Sequence, residues 1–452
     1  MFGLAKELKQ MEKDNRRIKA GLVGAGQMGT DIVSQVALMP TQDIVITADI
    51  DLNRACQAYE IAGHDKERIT AVSLLDAANK ALLNDKFVAT SDYRHVTDVA
   101  QVEVVIESTG SPEVGAKASL RAIHQGKHVV EMNVETDVTI GPLLKWYADQ
   151  YGVIYTVGAG DEPAALYELF DFATSLGLTI IAAGKGKNNP LDTSATPDDP
   201  KLAAEAKRRG LTPEMLVEFV DGSKTQIEMA CIANATGLAP DIRGMHGPKV
   251  NISEMKKVFA LKEQGGILNK PGVVDYVIGD LQPGVFLVFS TDKLRLRQCL
   301  VLRDMGDGPN YMLLRPFHLC SMEIPLSVAQ AAVQRRATMA PLDHLTAEVM
   351  SVAKKDLQPG TKLTRIGGNT HYGTTECADI AKKIEALPLG LAAGATLLNP
   401  VKQGDPIRYR DVVLRPDSTV ATLRKLQDAW VDGEISEHDL RFELDRIVAE
   451  ET

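Results

Sequence analysis

Asp161 and Glu162 stand side by side in the turn Val157-Gly158-Ala159-Gly160-Asp161-Glu162-Pro163, and Glu228 follows in a later helical stretch. Converging carboxylates of this kind present the hard oxygen ligands that Mg²⁺ or Mn²⁺ takes. Asp161 has a second role open to it, because an Asp just ahead of a helix that begins near Pro163 is ordinary capping chemistry. The run Ala183-Gly184-Lys185-Gly186-Lys187-Asn188-Asn189 places Lys185 and Lys187 on a turn after a buried strand. An ammonium there polarises a carbonyl, stabilises an enolate or binds an anion, although a solvent-facing loop favours the same residue types. Arg315-Pro316-Phe317-His318 offers a guanidinium beside a titratable imidazole, and Arg243 with His246, in a loop with Gly244 and Gly247, forms a weaker candidate anion site.

A second constellation binds rather than reacts. Ala20-Gly21-Leu22-Val23 runs as a short apolar strand into Gly24-Ala25-Gly26-Gln27-Met28-Gly29 and then into a helical pattern. Gly24 permits the tight turn, Gly26 leaves room for a pyrophosphate, and Gly29 lets the helix pack closely while its N-terminus supplies free N–H groups. Another strand ends at Asp49, twenty residues after Gly29, where an acidic residue takes the adenosine ribose. Asp49 argues for NAD, whereas Arg54 would attract the 2′-phosphate of NADP. Ser108, Thr109 and Gly110 follow the apolar run Val102–Glu107 at the edge of the sheet where ligands bind, and are further cofactor contacts.

These residues need a scaffold. Strands are expected at 18–23, 44–48, 102–107, 128–132 and 153–157, alternating with helical stretches, which implies a parallel Rossmann sheet over 1–156. An α+β catalytic domain is expected over 157–336, with a helix at 164–176, a strand at 179–183, a long binding or lid segment at 184–215, a helix at 221–236 and antiparallel strands at 285–289, 300–302 and 311–314. A small β-rich unit over 337–416, with strand signals at 349–353, 362–365, 388–391 and 411–414, precedes a helical tail at 417–452. The fold class is α/β.

Composition narrows the function. The 452 residues are 44% hydrophobic and 24% charged, with a net charge of −10. This disfavours a general nucleic-acid or membrane-surface role and leaves small anionic or polyhydroxylated substrates open. The five cysteines are scattered, without metal or dithiol spacing, and no signal peptide or membrane span is read, so a cytoplasmic protein with reduced cysteines is expected. Sheet edges and the terminal helices suit a homo-oligomer.

Gly126-Lys127 followed by His128-Val129-Val130-Glu131-Met132-Asn133-Val134, together with Val157–Gly160, resembles the nucleotide-binding half of homoserine dehydrogenases. It departs from them at Val134, where those enzymes carry a catalytic lysine; Asn133 carries over as a nicotinamide-side contact. With Gly160–Pro163, Ala182–Gly186, Asp221–Ala230 and Arg315–His318 added, the chain resembles the 1-deoxyxylulose-5-phosphate reductoisomerase-like (DRL-type) oxidoreductases, and 351–363 through 387–391 resembles their appended SAF domain. The resemblance implies an NADP- or NAD-dependent, Mg²⁺- or Mn²⁺-assisted reaction. A phosphorylated ketose such as 1-deoxy-D-xylulose 5-phosphate would rearrange by retro-aldol or ketol steps, and the aldehyde would be reduced. Asp161, Glu162 and Glu228 then hold the metal, Lys185 stabilises negative charge, and Arg315 with His318 grips the anionic end. Glu162 departs from the Gln that reductoisomerases carry there. Two other readings stand beside this one: a simple hydroxy-acid or aldehyde dehydrogenase, and a nucleotide-binding sensor or assembly protein without turnover.

Overall fold

The computed structural model describes residues 3–450. These form two compact units, and neither is a continuous piece of chain. The first comprises the residues up to Asp161, Leu319–Asp343 and those from Thr419 onward; the second comprises Glu162–His318 and His344–Ser418. The boundary expected near 336 falls inside a return segment of the first unit.

The first unit is built on seven parallel strands: β1 (Ile18–Val23), β2 (Gln42–Ala48), β3 (Ile69–Val72), β4 (Phe87–Thr90), β5 (Val104–Glu107), β6 (His128–Glu131) and β7 (Tyr155–Val157). Their order is β3-β4-β2-β1-β5-β6-β7. The strands are apolar almost throughout because helices cover both faces. β2 and β5 flank β1 on opposite sides, so the turns after β1 and β5 open at the switch point where such sheets take ligands. Ile18, Leu22, Ile32, Ile106 and Val130 centre the core, and Ile324 and Val328 of the return segment complete it. The Val157 N–H donates to Met339 O at 2.8 Å. The helices Thr419–Val431 and Glu437–Glu450 pack on Pro112–His124, and the first of them also packs on Val134–Gln150. The hydroxyls of Tyr147 and Tyr151 both donate to Asp445 Oδ1, at 2.6 and 2.8 Å.

The second unit has a five-stranded sheet of β8 (Thr179–Lys187), β9 (Ala239–Pro240), β10 (Val273–Ile278), β11 (Val285–Ser290) and β12 (Asn310–Arg315), ordered β12-β11-β8-β10-β9. β8 is central, parallel to β10 and antiparallel to β11. Helix Glu162–Ser175 packs on it and on helix Ser223–Thr236, which is buried on nearly every face. The hairpin of β13 (Ala347–Ala353) and β14 (His371–Cys377) clasps that second helix: Ser223 Oγ accepts the Gly373 N–H and Gln226 Oε1 the Thr375 N–H, both at 2.8 Å. A fully buried Lys354–Asp221 ion pair at 2.8 Å anchors the helix start. The small strands β15 (Thr396–Leu397) and β16 (Val412–Val413) pair nearby in sequence.

Several local expectations need correction. Residues 300–302 close the helix Leu294–Val301 and residues 388–391 enter the short helix Leu389–Ala392, so apolar runs of three or four residues were read with the wrong period. Lys362 makes only an isolated bridge to Thr396. β3, β4 and β10 were not expected; β3 is half exposed and lacks the apolar run that marked its neighbours. None of the five cysteines is in a disulfide.

Candidate active site

β8 decides the chemistry of the second unit. The sequence placed Lys185 and Lys187 on a turn beyond Ala183, but β8 continues to Lys187 and both lysines are buried strand residues. The intervening glycines explain why. A Cβ on Gly184 would stand 2.0 Å from Asp275 O, and one on Gly186 would stand 1.2 Å from Leu281 O. The alternation of a strand then turns Lys185 and Lys187 together to the opposite face.

Lys185 Nζ donates to Glu162 Oε1 at 2.5 Å and to Glu228 Oε2. Glu162 opens helix Glu162–Ser175 and Glu228 sits midway along helix Ser223–Thr236, so three elements meet at one ammonium. Carboxylate oxygens of Glu162 and Glu228 lie within 4.8 Å of each other. Asp161 precedes Glu162 by one peptide bond and ends the first segment of the first unit. His318 Nε2 lies 3.5 Å from Glu162 Oε1. Burial alone would discharge Lys185, but Glu162 and Glu228 outweigh it and hold the ammonium above its ordinary pKa. Burial, then the neighbouring Glu162, push Glu228 upward against Lys185 and Lys224.

The remaining candidates are held by other partners. Lys187 Nζ donates to Phe219 O at 2.5 Å, and burial followed by Lys185 lowers it to about 8. Arg315 Nη1 lies 3.5 Å from Glu168 Oε2, and its guanidinium stacks over Phe317 at 4.9 Å. Arg243 binds Glu376 at 2.8 Å, while His246 is held by Asp275 at 2.8 Å and approaches Asp241 at 3.4 Å. Each cation of that weaker pair already carries a carboxylate.

In the first unit Gly24 adopts φ +98°, and its Cβ would press on the Ser108 backbone at 3.0 Å. A Cβ on Gly29 would meet Gly24 O at 2.0 Å, whereas one on Gly26 would meet nothing. Gly29 is thus fixed by packing, and Gly26 is open toward the space a pyrophosphate would fill. Gln27 and Met28 begin the helix Gln27–Val36. Asp49 Oδ2 accepts the Ala25 N–H at 2.8 Å and Oδ1 accepts the Asp51 N–H at 2.9 Å, while Arg54 lies 3.6 Å from Asp51. Ser108 Oγ donates to Val23 O and Gly24 O at 3.1 and 2.9 Å, tying the two switch-point turns together. Asn133 Nδ2 donates to Ser111 O at 3.0 Å, and its Oδ1 caps the next helix through the Thr136 N–H at 3.3 Å. Glu107 and Glu131 went unread in the sequence, although each is an acid ending an apolar strand (Val-Val-Ile-Glu and His-Val-Val-Glu).

A parallel switch-point sheet with this glycine turn, joined in one chain to a buried lysine–carboxylate site, defines an NAD(P)-dependent oxidoreductase. Residues 24–139 match the NAD-binding domain of homoserine dehydrogenase, and residues 160–324, which hold Glu162, Lys185, Glu228, Arg315 and His318, match the catalytic domain of the oxidoreductase DRL. The comparison with curated proteins gives no match. Among solved structures, the chain is similar to a 1-deoxy-D-xylulose 5-phosphate reductoisomerase from Zymomonas mobilis in complex with NADPH (14% identity, TM-score 0.34, 48% of this chain and 58% of that one). It is also similar to a probable dehydrogenase from Thermotoga maritima (11%, 0.34, 60% and 72%) and a myo-inositol dehydrogenase from Corynebacterium glutamicum (10%, 0.36, 70% and 88%). No helix among the described residues is long and apolar enough to cross a membrane.

Proposed function

We propose that the protein reduces a small polyhydroxylated carbonyl compound or its phosphate, with 1-deoxy-D-xylulose 5-phosphate the first substrate to test. The observation that carries this reading is the ammonium of Lys185 held between Glu162 and Glu228, with His318 beside Glu162. Two of the three Lys185 N–H groups are committed to carboxylates, and the third serves a substrate oxygen on which negative charge develops. Glu162 and Glu228 fix that ammonium in place and keep it charged. Arg315 and His318 orient the anionic end of the substrate.

The donor set fits a divalent cation. Glu162 and Glu228 set two carboxylates on one ammonium, and Asp161, joined to Glu162 by one peptide bond, would add a third, so that hard oxygen ligands outnumber the ammonium's charge. Mg²⁺ or Mn²⁺ held there would act as a Lewis acid on the substrate's carbonyl and hydroxyl oxygens. A metal-free dehydrogenase is the second reading, favoured by the same Lys185 contacts, since the ammonium already neutralises part of the site. We further propose a homo-oligomer. Leu294, Leu296, Val301 and Leu302 expose large apolar side chains in the stretch of chain that precedes the edge strand β12, and light scattering of the purified protein measures the mass.

The test is oxidation of NADPH and NADH with 1-deoxy-D-xylulose 5-phosphate, with and without Mn²⁺, alongside calorimetric Mn²⁺ binding to wild type and Glu228→Gln. Metal-dependent turnover, with Mn²⁺ binding weakened by Glu228→Gln, is expected. Turnover that survives chelation selects the metal-free dehydrogenase. No turnover while dinucleotide still binds eliminates this substrate.

A further inference from the structure

Glu107 ends β5, Glu131 ends β6, and the two are register partners on neighbouring parallel strands. Both side chains are wholly buried, with 0% exposure, and as register partners on parallel strands they lie side by side on one face of the sheet, each acting electrostatically on the other. Glu107 Oε1 accepts the Thr109 N–H at 3.0 Å, and Glu131 Oε2 accepts the Ser119 hydroxyl at 2.8 Å. Glu107 Oε2 and Glu131 Oε1 are left as buried acceptors without a donor. Two ionised carboxylates are acceptors only and cannot bond to each other, and two like charges in a dry site are not both tolerated. A single proton held by the pair would give these oxygens the donor they lack.

We propose that Glu107 and Glu131 share one proton and act as a positioning pair for the nicotinamide end of the dinucleotide. The pair closes a ring of contacts at the carboxyl edge of the sheet. Glu107 holds the Thr109 N–H; the Ser111 N–H donates to Thr109 Oγ1 at 3.3 Å; Asn133 Nδ2 donates to Ser111 O at 3.0 Å; and Asn133 leads back along the chain to Glu131, two residues before it. The ring therefore sets both turns on which a dinucleotide lies in an open α/β sheet. The inference rests on the nucleotide-binding reading of this unit.

The surroundings favour the protonated form. β1 and β7 present Val23 and Val157 at the level of the pair. Helix Pro112–His124 contributes the neutral Ser119, and the return segment packs Ile324 into the adjacent core. Helix Val134–Gln150 contributes Asp137, whose negative charge further disfavours ionising Glu131 and which accepts the Tyr155 hydroxyl at 3.1 Å. Burial is the largest cause on both glutamates and raises both. Because the folded pair keeps a proton that the unfolded chain gives up near pH 4, its contribution to stability is complete below that pH and is lost as pH rises through the folded range.

Two measurements on the full-length protein test this. At pH 7 the infrared spectrum should contain a protonated-carboxyl band that shifts in D₂O and disappears in Glu131→Gln, with Glu107→Gln as the second variant. NADH affinity of the wild type should fall on the order of tenfold as alkali removes the shared proton, while Glu131→Gln, whose amide N–H replaces that proton, keeps a flat profile. A wild-type spectrum without the band, a band unchanged in both variants, or a Glu131→Gln profile that falls like the wild type's would each overturn the proposal. A protein that shows the band but binds neither NADH nor NADPH at any pH would overturn the nucleotide-binding reading and the positioning role with it, leaving only a buried proton.

Discussion

Gly186 lies so close to the carbonyl of Leu281 that a Cβ would stand 1.2 Å from its oxygen. The obstacle is backbone, so it cannot swing aside. Gly186→Ala is expected to cost at least ~1–3 kcal/mol in urea unfolding, the usual penalty for overpacking. Gly26→Ala is its counterpart: with open space around that Cβ, stability should be unchanged while dinucleotide binding is lost. Unaltered NADH binding by Gly26→Ala would remove the pyrophosphate role.

Replacing Lys185 by Met removes the buried ammonium that joins Glu162 and Glu228. Breaking a buried pair from one side costs ~3–5 kcal/mol, and loss of a fixed donor at a developing charge costs about 10²–10³ in rate. Adding Glu228→Gln should restore much of the stability and none of the activity. If the double variant turns over normally, Lys185 only balances charge.

Lys187 sets a pH dependence of its own. Its amine is held at about 8, below the ordinary 10.5, with burial as the main cause and Lys185 next. Between those values the folded protein binds fewer protons than the unfolded chain, so the penalty on Lys187 is complete below pH 8 and is relieved as pH rises toward 10.5. The stability difference between wild type and Lys187→Met should therefore move in favour of wild type from pH 8 to pH 10. A difference that stays constant would show that the amine titrates normally.

Cofactor choice follows from the end of β2. Asp49 and Asp51 place two carboxylates near the expected ribose site, and Arg54 is drawn toward Asp51 at 3.6 Å. NADH should bind more tightly than NADPH, and Asp49→Ala should narrow the ratio while weakening both, because Ala25 loses its acceptor. Tighter binding of NADPH by the wild type would reverse this assignment.

The glycine turn, β1, β5, β6 and the turns that follow these strands were legible because an apolar strand that stops at Gly or a polar turn has few other meanings. Lys185 was legible as chemistry but not as structure: Gly-Lys-Gly-Lys-Asn-Asn has the composition of a loop, and only the approach of Leu281 and Asp275 from other segments makes it a strand. Glu162 and Glu228 could be named from sequence, but their convergence on Lys185 depends on helix packing that no spacing encodes. Glu107 and Glu131 stayed hidden for the same reason, since their meaning comes from the register of two strands and not from either one.

The return segments carry a consequence for synthesis. Helices Thr419–Val431 and Glu437–Glu450 complete the packing around Pro112–His124, and Ile324 fills the core beside Val130, so the dinucleotide-binding unit closes only after the whole catalytic unit has left the ribosome. A polypeptide released early would be an unfinished cofactor trap, and quality control would meet it as exposed apolar surface before it could hold a nucleotide.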